Sequence, residues 1–254
     1  MALLEVKGLS KAFGGVLAVQ DVGFAVEAGL VYSVIGPNGA GKTTLFNLIT
    51  GIYQPTGGEI SLDGCSIVGQ PPHRLAGMGV ARTFQNLQIC MNMSARENVM
   101  VGAHLSLDRN LVKAMIRWPT LRRSDNALSD RAGELMCYVG LDSYLASPAS
   151  AMPYGALKRL EIARALAARP KLLFLDEPAA GLNPKETAEI DALIRRIADQ
   201  GVTVVLVEHD MKMVMNISDR ILVLDYGKKL AEGSAAEVRA NPAVVAAYLG
   251  AHHA

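Results

Sequence analysis

Short apolar runs of strand length alternate along this chain with stretches whose apolar residues recur at helical spacing, the pattern of an α/β fold. Leu30-Val-Tyr-Ser-Val-Ile35 is nearly all apolar and predicts a buried strand that runs into a glycine-rich turn. A helix over about residues 42–50 follows, and Gly51 stops it. Residues 171–175, 202–207 and 221–224 predict three further core strands. The helix between the first two of these opens at Asn183-Pro184, a side-chain cap followed by proline at the first helical position. Ile190, Leu193, Ile194 and Ile197 form its buried stripe.

Residues from about 87 to 152 break the alternation and hold no convincing strand. Ser94-Ala-Arg-Glu97 is a capping box, and Leu128, Ala132, Leu135, Met136 and Val139 make one helical stripe. Such a stripe reads as core packing rather than a binding surface. The expectation is one domain over residues 1–254, its α/β core formed by about 1–86 and 153–254, with a helical subdomain inserted over about 87–152.

Composition narrows the class. Half of the 254 residues are apolar, 19% are charged, and the formal net charge is +1, so nothing points to a nucleic-acid partner. Cys65, Cys90 and Cys137 lie far apart and form no C-x-x-C pair, which fits a reducing compartment. The start, Met1-Ala-Leu-Leu-Glu5-Val-Lys7, mixes acid and base and reads as no signal peptide. The apolar runs are far shorter than the roughly 20 residues that span a bilayer. Work at a membrane would need another chain to do the crossing.

Two segments carry chemistry. Gly36, Pro37, Asn38, Gly39, Ala40, Gly41, Lys42 and Thr43, followed by Thr44, match the phosphate-loop pattern G-x-x-x-x-G-K-[ST]. A polyphosphate needs many donors close together, and backbone N–H groups supply them at that density. The glycines let the chain wrap the anion, and the helix terminus adds its positive end. Lys42 would reach the β- and γ-phosphates of ATP and the Thr43 hydroxyl would ligate Mg²⁺. A glycine-rich loop can match by chance; here it stands between a strand and a helix, the context the function requires. The second segment, Leu172-Leu-Phe-Leu-Asp176-Glu177, is an apolar strand ending in two carboxylates, costly unless a cation or base chemistry uses them. Asp176 is placed to hold the Mg²⁺ shell through water and Glu177 to polarise an attacking water. The alternative is a solvated loop start, since Pro178 follows at once.

These residues resemble those of the ATP-binding subunits of ABC transporters, and the resemblance covers essentially the whole chain. It implies a P-loop NTPase (RecA-like) core with an antiparallel β subdomain and an inserted helical subdomain. It also implies roles that spacing leaves mute. Gln85, in Arg82-Thr-Phe-Gln85, looks like the glutamine that touches Mg²⁺ and senses the transmembrane partner. His209, in Val207-Glu-His209-Asp210, looks like the switch histidine that holds the γ-phosphate and orients Glu177. Asn183 ends the segment Ala180-Gly-Leu-Asn183 that bridges two protomers in the family. Phe13 stands where an aromatic stacks on adenine, with a core phenylalanine as the rival reading. The signature L-S-G-G-Q is replaced by Met152-Pro153-Tyr154-Gly155-Ala156: proline stands for serine and alanine for glutamine. Contacts from Tyr154, Gly155 and the following helix to the opposite nucleotide would then come from backbone rather than from those side chains.

The altered signature, the segment ending in Asn183-Pro184, the terminal residues 240–250 and a helical insertion near residues 109–131 resemble the longer ATP-binding subunit of branched-chain amino acid importers. Relatives that power urea uptake or lipopolysaccharide export share much of this. The resemblance implies a second cassette bound head to tail, two multi-span permease subunits, a periplasmic solute-binding protein acting indirectly, and a place on the cytoplasmic face of the inner membrane. Two other classes compete. An ABC ATPase without a transport partner would usually carry two cassettes or basic insertions. The other is a different P-loop class: a GTPase would want an N-K-x-D guanine reader, which the sequence lacks, and a small-molecule kinase would lack the Leu175-Asp-Glu-Pro178 strand end together with His209.

Overall fold

The computed structural model describes residues 2–104 and 119–250, with side-chain environments for 2–104 and 126–248. In chain order the elements are β1 (Ala2–Phe13), β2 (Val16–Glu27), β3 (Val31–Ile35), α1 (Lys42–Ile49), β4 (Gly57–Leu62), β5 (Cys65–Ser66), α2 (Pro72–Gly77), β6 (Val80–Arg82), α3 (Ala95–Gly102), α4 (Pro119–Tyr138), α5 (Tyr154–Ala167), β7 (Leu172–Asp176), α6 (Pro184–Asp199), β8 (Thr203–Val207), α7 (Met211–Ile217), β9 (Arg220–Asp225), β10 (Lys228–Gly233), α8 (Ala235–Ala240) and α9 (Pro242–Gly250). They group into two compact units, Met1–Arg82 with Lys171–Ala254, and Thr83–Pro170.

In the first unit a six-stranded sheet runs in the order β10-β9-β3-β8-β7-β6, parallel except for β10, which pairs antiparallel with β9. Every residue of β3, β7 and β8 is buried, which is why these strands read as unbroken apolar runs: both faces of the sheet are covered. Alternation along β9 shows the two faces. Leu222 and Leu224 join the larger core, while Ile221 and Val223 join Ile35, Val214, Val238 and Val244 on the other side.

The larger core also contains α1 and the inward residues of a second sheet, antiparallel β2-β1-β4-β5. Helix α1 has only eight residues and no side-chain cap, too short to persist alone. Leu45, Phe46, Leu48 and Ile49 hold it by burial, at roughly 1.5–3 kcal/mol each, with the Phe46 ring edge-on to Phe174 at 5.1 Å. The helix ends where expected. A Cβ at Gly51, whose φ is 74°, would stand 2.4 Å from the Gln70 carbonyl oxygen. The antiparallel sheet is present as the resemblance implied. Its twelve-residue strands β1 and β2 carry register shifts, and Gly8 and Asp21 adopt positive φ, so a strict two-residue period is lost in the sequence.

The second unit is helical, and among its described residues there is no strand, only an isolated bridge between Ser94 and Pro148. The capping box forms as read: the Glu97 amide donates to Ser94 Oγ (3.2 Å) and the Ser94 amide to Glu97 Oε2 (2.8 Å). Ala132, Met136 and Val139 of the α4 stripe are buried, and Leu128 and Leu135 are half-buried. The expected boundary near residue 152 lies instead at Pro170, because α5 packs with α3 and α4. At the α3–α5 contact a Cβ on Gly102 would sit 1.9 Å from the Arg164 carbonyl oxygen, so the two backbones meet directly. Residues 109–118 of the expected insertion lie outside the described residues. Among the described residues no helix is long and apolar enough to cross a membrane.

Candidate functional site

Strands β3, β8 and β7 are neighbours in the parallel sheet, and their carboxyl ends bring together residues distant in the chain. That edge is where ligands collect in sheets of this kind. After β3, residues 36–41 form the loop that feeds α1. Gly36 has φ 152°, and a Cβ there would lie 2.1 Å from the Leu224 carbonyl oxygen. Gly41 has φ 96°, and its Cβ would lie 2.4 Å from the Ala18 carbonyl oxygen. Gly39 also has positive φ, 79°, yet nothing lies within 4 Å of its Cβ position. The Ala40 amide closes the loop on the Pro37 carbonyl (3.2 Å). The Gly227 amide ties Ala40 to the β9–β10 turn (3.1 Å), and the Gln20 amide ties that turn to β2 (2.7 Å). Three segments therefore hold this one turn. Lys42 folds over it, donating from Nζ to the carbonyls of Gly36 (2.7 Å) and Pro37 (2.9 Å). Burial pushes the Lys42 ammonium pKa down, and the nearby charges of Glu177 and Asp176 push it back. Thr43 is exposed and Thr44 half-buried on the first turn of α1; Asn38 and Gly39 are exposed on the loop.

The glycines therefore differ in what they tolerate. Gly36→Ala is expected to lower affinity for a fluorescent ATP analogue by more than about tenfold, since a backbone oxygen blocks the new methyl. Gly39→Ala bears only left-handed strain, about 1–2 kcal/mol, and should bind more tightly than Gly36→Ala. Equal losses would show that the Leu224 contact is irrelevant.

At the end of β7, Asp176 is 4% exposed and bound by an arginine: Arg82 Nη2 meets Asp176 Oδ2 at 2.9 Å, with both side chains buried. Arg82 also donates from Nη1 to Asn47 Oδ1 (2.7 Å) and Thr50 Oγ1 (2.8 Å) at the far end of α1. Glu177 has φ 48°, a left-handed conformation that only strong local constraint holds in a non-glycine residue, and its amide donates to the Val207 carbonyl at 2.9 Å. His209, after β8, is 63% exposed with Nδ1 3.9 Å from Glu177 Oε2. Between them Glu208, 1% exposed, accepts from the amides of Ala179 (2.9 Å), His209 (3.0 Å) and Asp210 (3.4 Å). The structure thus brings Lys42, Asp176, Glu177 and His209 to one strand edge. Arg82 and Glu208, which hold two of them in place, were not read from the sequence. Glu208 carried one signal: an acid directly after a buried strand and directly before the histidine.

Asn183 caps α6 with its own side chain, accepting from the amides of Lys185 and Glu186 at 3.0 Å each. Phe13 ends β1 at 42% exposure, edge-on to Tyr53 (centroids 5.3 Å apart) with Lys11 Nζ 5.0 Å from its ring centroid, so it is not a core residue. Gln85, Tyr154 and Gly155 belong to the second unit. There α5 starts at Tyr154, within the altered signature segment, with Pro153 as a cap that makes no side-chain bond. Tyr154 is exposed and Gly155 buried.

Asp191 on α6 stands near the charges of Asp210 and Glu208, and burial foremost, then those charges, push its carboxyl up to about 6. The folded chain therefore holds this proton up to about pH 6, whereas an unfolded aspartate releases it near 4. Stability is lost as pH rises between these values, and the full cost is present above them. Asp191→Asn is expected to raise the melting temperature by a few degrees at pH 8 and not at pH 4. A gain of equal size at both would exclude ionisation as its cause.

Residues 19–180 match the ABC transporter family, and residues 228–254 match the branched-chain amino acid ATP-binding cassette transporter family. The chain is similar to the high-affinity branched-chain amino acid transport ATP-binding protein BraF of Pseudomonas aeruginosa, at 49% identity over 249 residues and 98% of each chain. It is 46% identical, with the same coverage, to LivG of Escherichia coli, whose name describes the same transport role. Among solved structures it is similar to the ADP conformation of MJ1267, an ATP-binding cassette of an ABC transporter. Identity there is 30% and the TM-score 0.86, over 98% of this chain and 99% of that one. A nucleotide-free cassette from an ABC transporter matches with 28% identity and a TM-score of 0.84 over the same shares.

Proposed function

The chain belongs to the ATP-binding subunits of ABC transporters, and from that premise we propose that it hydrolyses ATP to drive an importer of branched-chain amino acids. The observation that carries the chemistry is the strand edge itself: a lysine folded over a glycine-rich loop, beside two carboxylates and a histidine. The loop amides, the positive end of α1 and Lys42 hold the phosphates of ATP, and Phe13, 42% exposed at the end of β1, is the aromatic that would stack on the adenine. Thr43, Asp176 through water, Gln85 and the phosphates themselves would hold Mg²⁺. When bound, the ion neutralises charge that develops on the phosphoryl oxygens. Glu177 orients and deprotonates the attacking water, and His209 restrains Glu177 and the γ-phosphate.

The partners follow from the same reading. A second cassette binds head to tail, so that Tyr154, Gly155 and the start of α5 face the opposite nucleotide, with Asn183 at the seam. Two permease subunits dock near Gln85, a periplasmic solute-binding protein delivers the amino acid, and the cassette is peripheral on the cytoplasmic face of the inner membrane. Reconstitution with the cognate permease pair and binding protein is expected to give ATP-dependent uptake of radiolabelled leucine into proteoliposomes. Uptake of urea without leucine would reassign the substrate, and leucine uptake without ATP hydrolysis would remove the motor role.

A further inference from the structure

Helix α5 carries three charged side chains, Lys158, Glu161 and Arg164, at three-residue spacing on one face. Lys158 is 3% and Glu161 2% exposed. All three are turned onto one short stretch of backbone in the same unit, residues 84–88. Lys158 Nζ donates to the Gln85 carbonyl (3.4 Å), and Arg164 Nη1 donates to the Gln88 carbonyl. The Glu161 carboxylate accepts from the amides of Gln88 (3.3 Å) and Phe84, with Arg164 Nη2 3.9 Å from it. A buried set of charges is a weak source of stability compared with apolar side chains of the same size. What it supplies is geometry: each side chain bonds the backbone of residues 84–88, and Glu161 and Arg164 also lie beside each other. Burial lifts the Glu161 carboxyl pKa, while the two amides and the neighbouring cations favour its charged form.

We propose that Lys158, Glu161 and Arg164 are positioning residues that lock the backbone of residues 84–88 to α5, so that Gln85 and the helix starting at Tyr154 move as one piece. This rests on the reading of Gln85 as the residue that meets Mg²⁺ and the permease. On that reading, a push on residues 84–88 by a membrane subunit reaches Tyr154 and Gly155 with no soft joint between. No side chain of the signature segment is then needed to carry it, which suits a chain with Pro153 and Ala156 at the two polar signature positions.

The test uses the full chain with Glu161→Gln, which keeps shape but turns an amide N–H₂ toward donors, and Lys158→Met as a second variant. Amide hydrogen exchange at residues 84–88 is expected to quicken by about tenfold or more, the loss of one charge-assisted bond. Exchange at residues 36–43 and affinity for ATP should stay unchanged. The Mg²⁺ concentration for half-maximal ATPase activity should rise several-fold, as in a Gln85→Ala control. Faster exchange spread evenly over residues 83–170 would mean ordinary packing and overturn the proposal. So would an unchanged Mg²⁺ requirement in both Glu161→Gln and Lys158→Met beside a raised one in Gln85→Ala. An unchanged requirement in Gln85→Ala itself would overturn the reading of Gln85, and the local exchange rates would then decide the lock by themselves.

Discussion

Glu177→Gln is expected to cut ATP turnover by about 10²–10⁴-fold, the usual contribution of a positioned general base, while equilibrium ATP affinity stays at the parent level. The Glu177 amide hydrogen-bonds the Val207 carbonyl while the backbone stays in the left-handed region, and glutamine has the same shape and reach, so the geometry survives the change. What is lost is the ability to take the proton of the attacking water. Lys42, the loop glycines and Thr43 are untouched, and the phosphates are bound as before. A single-turnover assay beside equilibrium binding separates the two steps. Near-normal turnover would remove Glu177 from the role of base and leave His209 as the next group to test.

Arg82→Met should cost about 3–5 kcal/mol of stability, because it strips a buried carboxylate of its cation. In a chain of this size that is a melting temperature lower by about 6–20 °C. The guanidinium joins Asp176 to Asn47 and Thr50, so the end of β7 and the end of α1 both lose a partner. Phe46 loses the cation that lies 5.7 Å from its ring centroid as well. Arg82→Lys keeps the charge without the fork and should fall between the two. A melting temperature within a degree of the parent would show that Asp176 is neutralised elsewhere, with Lys42 the first candidate.

These two residues were not equally legible. Asp176-Glu177 stands out because two acids end an apolar run, a local contradiction that function resolves. Arg82 is quoted within Arg82-Thr-Phe-Gln85, yet nothing in those four residues says that its partner lies 94 positions away. The helical unit behaved the same way. Its capping box and its apolar stripe were readable from spacing, whereas its boundary was misplaced. Whether the helix from Tyr154 to Ala167 joins α3 or the parallel sheet depends on Gly102 meeting the backbone at Arg164, a contact across 62 residues.

The sequence alone determined whatever is contiguous: the loop of residues 36–43, the strand ends at Ile35, Asp176 and Val207, the caps at Ser94 and Asn183, and the buried faces of the helices. In each of these the chemistry or the period repeats within a few residues, so short-range sterics and hydrogen bonding suffice. Tertiary structure decided the rest: which strands are neighbours, that Ala18 and Leu224 close on Gly41 and Gly36, that Glu208 holds the loop of His209, and that α5 grips residues 84–88. Each of those depends on burying groups that the chain keeps far apart, and only the packed state brings them within hydrogen-bond or van der Waals reach.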